Sequence, residues 1–151
     1  MSAKSWIRAL WHGRDGTAEE EERDRPSGKR STQRDREIRE LGKVNGKHFT
    51  KYVDAVKDLK RKNHTEEAIE LLFQLVDASE RESVASTHHY SATPWLYEQL
   101  AILFRKEKRY GDEVAILERY AALFKPPKQL PKKLEQRLDK ARNLWSRELY
   151  G

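Results

Sequence analysis

Side chains that carry most enzyme chemistry are present in this chain, but their spacing does not build a catalytic or metal site. Glu66 and Glu67 follow Thr65, a suitable N-cap, and the first turn of a helix favours acidic side chains. His88 and His89 are adjacent in a polar stretch with no acidic or cysteine ligand nearby, so we interpret them as loop residues. There is no Gly-rich phosphate loop and no Ser/His/Asp or Cys/His set. We therefore expect a protein that is not an enzyme and that needs no cofactor or metal.

Composition favours a thin hydrophobic core. Of the 151 residues, 37% are charged and 36% are hydrophobic, and there is no cysteine. A chain of this length suits one domain, and stacked helical hairpins suit this composition because each helix buries only a stripe. The absence of cysteine excludes disulfides and thiolate metal sites. No apolar run has the length of a membrane span or a signal peptide, so we expect a cytoplasmic location.

The basic excess is concentrated near the end of the chain. The formal net charge is +6, and residues 125–151 carry eight basic and three acidic side chains. A basic helix here could neutralise phosphates and bind nucleic acid in a salt-dependent way. The aromatic residues fall on the apolar side of this helix and no nucleic-acid motif is present, so this remains the alternative function. The candidate nucleic-acid face consists of Lys132, Lys133, Arg137, Lys140 and Arg142.

The first twelve residues contain a small amphipathic patch in a hydrophilic leader. Four apolar side chains fall on one side of a short helix, namely Trp6, Ile7, Leu10 and Trp11. One interpretation is a docking helix for a partner groove or, less favoured, a membrane interface. The other is that the patch folds back onto the rest of the chain. Residues 13–36 lack apolar periodicity and contain four consecutive glutamates, which predicts disorder. Ile38 and Leu41 add at most one weak helical turn before Gly42 and Gly46, so we predict a flexible charged linker over 13–46.

Hydrophobic spacing predicts five helices in residues 47–150. Their expected ranges are 47–62, 65–85, 94–108, 112–124 and 131–149. The second has the widest apolar arc, so we expect it to be the most buried helix. The fifth should cap the open end of the array, with Trp145 in the core. The five stripes are Phe49, Tyr52, Val53, Val56 and Leu59; Ala68, Leu71, Leu72, Leu75 and Val76, widened by Ile69 and Phe73; Tyr97, Leu100, Ala101 and Phe104; Val114, Leu117, Ala121 and Phe124; and Leu134, Leu138, Ala141, Trp145 and Leu149.

This arrangement resembles the tetratricopeptide repeat and related helical hairpins. The first helix of that family has an aromatic residue, a large and small pair, and another large residue, and its second helix opens on acidic residues before a small one. The chain departs from the family in period, since Tyr52 and Tyr97 are 45 residues apart instead of about 34. Glu118 also stands where a large residue is usual. The matching positions are Tyr52, Ala55, Val56, Leu59, Glu66, Glu67 and Ala68 in the first hairpin, and Tyr97, Leu100, Ala101, Phe104, Asp112, Glu113, Val114 and Pro126 in the second.

The resemblance implies a concave groove lined by the first helix of each hairpin. Such a groove would mix apolar and basic side chains and could hold a peptide or partner helix with hydrophobic anchors and acidic flanks. The alternative is that its cations only stabilise helix C-termini. The candidate groove residues are Val53, Lys57, Lys60, Arg61, Trp95, Glu98, Ile102, Arg105 and Lys106.

The sequence therefore predicts an all-α fold of stacked helical hairpins. The expected function is a protein–protein interaction module with an adaptor or scaffold role, whose partner carries acidic and hydrophobic groups.

Overall fold

The computed structural model describes residues 32–86, 92–125 and 128–151, and within these ranges the fold is all-α apart from two short strands. The N-terminal part contains helix α1 and the antiparallel strands β1 and β2, followed by a single 3-10 turn. Two helical hairpins and a final helix follow. The elements are α1 (Gln33–Leu41), β1 (Lys43–Val44), β2 (Lys47–His48), the 3-10 turn (Phe49–Tyr52), α2 (Val53–Arg61), α3 (Thr65–Ala85), α4 (Pro94–Lys106), α5 (Tyr110–Ala121) and α6 (Lys132–Tyr150).

The prediction of a flexible linker up to residue 46 is wrong for its described part. Thr32 and Asp35 form a capping box that starts α1: Thr32 Oγ1 accepts from the Asp35 amide at 3.2 Å, and Asp35 Oδ2 accepts from the Thr32 amide at 2.9 Å. This pairing satisfies two amides that a helix start otherwise leaves without partners. Residues 13–31 lie outside the described ranges.

The prediction that the first hairpin helix begins at residue 47 is also wrong. Asn45 and Gly46 adopt φ of 49° and 80°, which makes the two-residue turn between β1 and β2. The chain then passes through the 3-10 turn before α2 begins at Val53. His48 and Phe49 are buried, so this short β-hairpin is part of the folded domain.

The turns of the two helical hairpins are built in the same way. Asn63 and Lys108 each adopt φ of 56°, and in each turn the next residue donates its amide to the carbonyl five residues earlier, at 2.9 and 2.8 Å. A left-handed residue followed by this long hydrogen bond is a common helix ending. The two turns are 45 residues apart, the same separation as Tyr52 and Tyr97. The two hairpin turns therefore share their backbone conformation and hydrogen bonding.

The backbone repeat changes the alignment of the second helices. A separation of 45 residues pairs Ala68 with Glu113, whereas the family resemblance pairs Ala68 with Val114. It also pairs Val53 with Glu98. Two apolar positions of the first hairpin are thus carboxylates in the second.

The hairpin turns lie side by side at the same end of the domain. Lys106 Nζ donates to Asn63 Oδ1 at 3.2 Å, and Arg109 Nη1 contacts Glu66 Oε1 at 3.1 Å. The two hairpins therefore point in the same direction, as in a stack of repeats.

The core is centred on α4, so the prediction that the second predicted helix, now α3, is the most buried is wrong. Eight of the 13 residues of α4 are buried, against seven of the 21 in α3. The Tyr97 ring stacks on Tyr120 of α5 with centroids 4.4 Å apart, and Phe104 lies 6.1 Å from Phe73 of α3. α4 has helices on both sides, whereas no residue of α3 after Ser79 is buried and Val84 is exposed. Tyr97 and Phe104 point inward as predicted.

The final helix packs on α5 through a short stripe. Leu134, Leu138 and Ala141 are buried, as predicted. The prediction that Trp145 is core is wrong, because its side chain is 38% exposed. Its indole covers Gly111 at the start of α5, where a Cβ would lie 3.1 Å from the ring. Since α5 begins only one residue before this contact, the last turns of α6 extend beyond it.

Candidate functional site: a charged cluster between four helices

The predicted groove residues do not form one surface. Trp95 is 4% exposed and belongs to the core, and Val53 packs against the core while partly buried. Arg61 is exposed and pairs with Asp58 one turn earlier in α2. Lys57 and Ile102 are half-buried. The remaining four groove residues are charged and belong to one group, which also includes α6 side chains from the nucleic-acid face and a carboxylate of α5.

We refer to this group as the charged cluster. It joins α2, α4, α5 and α6 and contains five cations and two carboxylates. Its members are Lys60, Glu98, Arg105, Lys106, Glu113, Lys133 and Arg137.

Lys60 and Lys106 form the part of the cluster next to the hairpin turns. Lys60 is half-buried, and its Nζ donates to Gln99 Oε1 of α4. Burial lowers the pKa of Lys60, the positive charge of Lys106 lowers it further, and the carboxylate of Glu98 acts in the opposite direction. Lys60 is therefore held close to another cation while it is partly removed from water.

Glu98 is the carboxylate at the centre of these cations. It is 7% exposed, and its Oε1 lies 2.7 Å from Lys133 Nζ of α6. Burial and neighbouring cations lower the pKa values of Lys60 of α2 and Arg137 of α6, and the charge of Glu98 offsets part of both effects. A carboxylate at a position where the first hairpin has valine is thus balanced by cations of α2 and α6.

Glu113 is fully buried and is held between two arginines. Arg105 approaches it with two nitrogens, since Nε donates to Oε2 at 2.9 Å and Nη2 lies 2.8 Å from Oε1. Arg137 Nε lies 3.4 Å from the same Oε1. Both contacts to Oε1 are ion pairs without hydrogen-bond alignment, which leaves that oxygen and Arg137 Nε without hydrogen-bond partners. Arg105 Nη2 also donates to the Arg137 carbonyl at 3.1 Å, which ties α4 to α6.

The two arginines repel each other as well as binding Glu113. Burial lowers the pKa of Arg137, the nearby charge of Arg105 lowers it further, and Glu113 and Glu98 offset part of that effect. With five cations and two carboxylates, the charged cluster has a net positive charge.

Three of the five residues of the candidate nucleic-acid face form ion pairs with carboxylates of the protein itself. Lys133 pairs with Glu98, Arg137 with Glu113, and Arg142 with Glu118 at 3.1 Å. The other two members, Lys132 and Lys140, are exposed, and in the described parts of the chain neither forms an ion pair.

Sequence reasoning missed the burial of Glu113. Its position in the first turn of a helix explained it as a favourable dipole interaction. The 45-residue separation of the hairpins could have revealed this burial, because it makes Glu113 the equivalent of Ala68, which is buried.

Two further polar networks stabilise the hairpins outside the cluster. Arg119 of α5 binds Glu80 with Nε at 2.9 Å and Nη2 at 2.8 Å and Asp77 at 2.7 Å, and Tyr97 donates its hydroxyl to Glu80 at 2.6 Å. His48 Nε2 lies 2.5 Å from Glu82 Oε2 of α3. Asp77 and Glu80 also border an open surface pocket next to Leu41 and Arg81. We assign both networks to stability because their charged groups pair with each other.

Several predicted features lie outside the described residues. These are the docking patch of Trp6, Ile7, Leu10 and Trp11, the histidines His88 and His89, and Pro126. Within residues 32–86, 92–125 and 128–151, no three histidine or acidic side chains come together as a metal-binding group. None of the described helices is both long enough and apolar enough to cross a membrane.

Comparison of the chain with protein-family models, with curated proteins and with solved structures gives no match. The charged cluster is therefore the feature of this molecule on which a function can be based.

Proposed function

We propose that this protein is a peptide-binding interaction module, and that its ligand is an acidic segment of a partner protein bound at the charged cluster. The observation that carries the proposal is the gathering of five cations from three helices around only two carboxylates. Like charges held together at partly buried positions are costly, and an anionic ligand relieves that cost. Such an arrangement is found more often at binding sites than on ordinary surfaces.

The electrostatic balance supports an anionic ligand in particular. Lys60 and Arg137 both have pKa values lowered by burial and by a neighbouring cation. A carboxylate placed between them would stabilise their charged forms, as Glu98 and Glu113 already do in part. Half-buried Ile102, on the same helix as Glu98, offers apolar contact for a hydrophobic side chain of the ligand.

The repeated hairpins support a peptide as the carrier of those carboxylates. The matching turns and the contact between Lys106 and Asn63 bring the two hairpins together, and the peptide groove itself is what the resemblance to tetratricopeptide-type stacks implies. An adaptor or scaffold role follows from this proposal, since the cluster offers charge and shape but no nucleophile or base set up for chemistry.

The test uses the full chain and a fluorescein-labelled random copolymer of glutamate and tyrosine as the acidic ligand. Binding is followed by fluorescence anisotropy for the wild type and for a Lys60→Gln/Lys106→Gln variant. The matched control is Lys132→Gln/Lys140→Gln, which removes the same charge from the exposed face of α6. Lys106 is exposed and Lys60 is half-buried, so the Lys60→Gln/Lys106→Gln variant should keep its fold, which circular dichroism checks. Trp95 and Arg105 are unsuitable positions because one is core and the other holds Glu113.

The proposal predicts that Lys60→Gln/Lys106→Gln weakens binding by about tenfold or more, which is about 1.4 kcal/mol. The control Lys132→Gln/Lys140→Gln should retain the affinity of the wild type. Equal weakening in both variants would show that only the net charge matters and would reject the site. A parallel titration with a labelled single-stranded oligonucleotide tests the alternative function. If oligonucleotide binds, is lost between about 50 and 200 mM salt and depends on Lys132 and Lys140, the nucleic-acid function replaces this proposal.

A further inference from the structure

Glu98 occupies the position in the charged cluster that a ligand carboxylate would take. It is almost fully buried, it lies 2.7 Å from Lys133, and it stands where the first hairpin has Val53. The position 45 residues earlier is apolar, so the matching hairpin turns do not by themselves require a carboxylate here. Glu113 differs from it, because two arginines enclose Glu113 completely and leave it no exposed surface.

We propose that Glu98 is an internal competitor for the acidic ligand and determines the ligand specificity of the charged cluster. This inference rests on the proposed peptide-binding function. A ligand carboxylate that approaches Lys133 and Lys60 meets the negative charge of Glu98 and must displace it from Lys133. Ligands with a single carboxylate gain little from that exchange, whereas a segment with several acidic side chains gains enough contacts to complete it.

The position of Lys133 makes such an exchange physically accessible. Its side chain is 68% exposed although its Nζ contacts a nearly buried carboxylate, so the bridge lies at the edge of the protein. When the exposed Lys133 ammonium moves to another partner, Lys60 and Arg137 still lie near Glu98 and offset its charge. Opening the bridge therefore leaves the packing of α6 through Leu134 and Leu138 in place.

The experiment breaks the same bridge from either side. Glu98→Gln and Lys133→Gln are compared with the wild type in the glutamate–tyrosine copolymer assay, and Glu118→Gln, which breaks an exposed ion pair between α5 and α6, serves as the charge-matched control. Competition predicts opposite effects: Glu98→Gln should tighten binding by about tenfold, and Lys133→Gln should weaken it by a similar factor. Glu118→Gln should change affinity by less than about threefold, since its pair with Arg142 is exposed, screened by water and includes no member of the cluster.

A merely structural role for the bridge predicts a different result. If Glu98 and Lys133 only hold α6 in place, both substitutions remove the same contact and should change affinity in the same direction, which would overturn the inference. Tightening by Glu118→Gln equal to that by Glu98→Gln would also overturn it, because the effect would then be one of net charge. If the wild type and all variants fail to bind the copolymer, the proposed function fails and the competitor role fails with it. If the wild type binds through Lys60 and Lys106 but Glu98→Gln does not tighten binding, only the competitor role is rejected.

Discussion

Replacing Glu113 by alanine tests whether this buried carboxylate stabilises the fold through its ion pairs with Arg105 and Arg137. Alanine is the residue at the equivalent position of the first hairpin, where Ala68 is fully buried, so the substitution creates no steric problem. It does leave Arg105 and Arg137 close together without their shared carboxylate. Removing one partner of a buried ion pair typically destabilises a protein by about 3–5 kcal/mol.

The structure lowers the expected value for this site. The side chains of Arg105 and Arg137 are 27% and 21% exposed, so both guanidinium groups can turn partly toward water when Glu113 is removed. We therefore expect Glu113→Ala to reduce the free energy of unfolding by about 2–3 kcal/mol. The combined variant Glu113→Ala/Arg105→Leu/Arg137→Leu should recover most of this loss, since well-packed apolar groups often replace a buried ion triad without a net cost.

The assay is urea unfolding followed by circular dichroism at 222 nm, about the wavelength of the helix signal, with the unfolding free energy taken from midpoint and slope. Glu118→Ala is the matched control, because Glu118 is an exposed glutamate of the same helix whose partner is also an arginine of α6. Its loss should stay within about 0.5 kcal/mol. A loss below about 1 kcal/mol for Glu113→Ala, or one equal to that of the control, would refute the assignment of Glu113 as a buried ion-pair centre.

Three further predictions concern the tyrosines and one glycine. Tyr97→Phe should lower the unfolding free energy by about 1 kcal/mol, because the Tyr97 hydroxyl donates to Glu80. Tyr120→Phe should leave that free energy unchanged or raise it by up to about 1 kcal/mol, because the buried Tyr120 hydroxyl has no partner among the described residues. Equal losses for the two variants in matched urea titrations would contradict this. Burial raises the pKa of both tyrosines, so both stay neutral in the folded state above about pH 10 while the unfolded chain ionises, and stability should fall as pH rises from there by up to about 1.4 kcal/mol per pH unit for each. The double phenylalanine variant should show a flatter alkaline slope, and an unchanged slope would be evidence against the tyrosines as its cause. Gly42→Ala should destabilise the protein by about 1–3 kcal/mol, because its Cβ would overlap the Glu82 carboxylate where that group binds His48, and an unchanged urea midpoint would contradict this close approach.

Local chemistry in the sequence accounts for most of the helices. The stripe of apolar residues and the acidic first turn predicted a helix over 65–85, and α3 has those bounds. Inward-pointing Tyr97 and Phe104 followed from spacing alone, since residues three and four apart share a helix face. The same kind of local signal was available at the N-terminal part, where Thr32 and Asp35 form a capping box and Asn45-Gly46 makes a hairpin turn. The charge and low hydrophobicity of this stretch favour a linker with one weak helical turn at Ile38 and Leu41, so neither the full helix nor the hairpin was predicted.

The candidate site depends on contacts that no local pattern contains. Glu98 and Glu113 are spaced like ordinary surface glutamates, and only the approach of α6 places Lys133 and Arg137 against them. The same approach decided that three cations of the basic tail bind carboxylates of the hairpins, so that the tail is only partly a free basic face. Trp145 continues the stripe of α6, yet it is exposed because α5 begins beside it and covers only part of the ring.

By itself, the sequence determined the all-α class, the inward faces of the helices and the period of 45 residues, because these depend on spacings of a few residues and on short turns. Only the tertiary structure decided which charges are buried and which pairs they form. The physical reason is that the burial of a charge depends on distant helices that bring both an opposite charge and a low-dielectric surrounding to the same place.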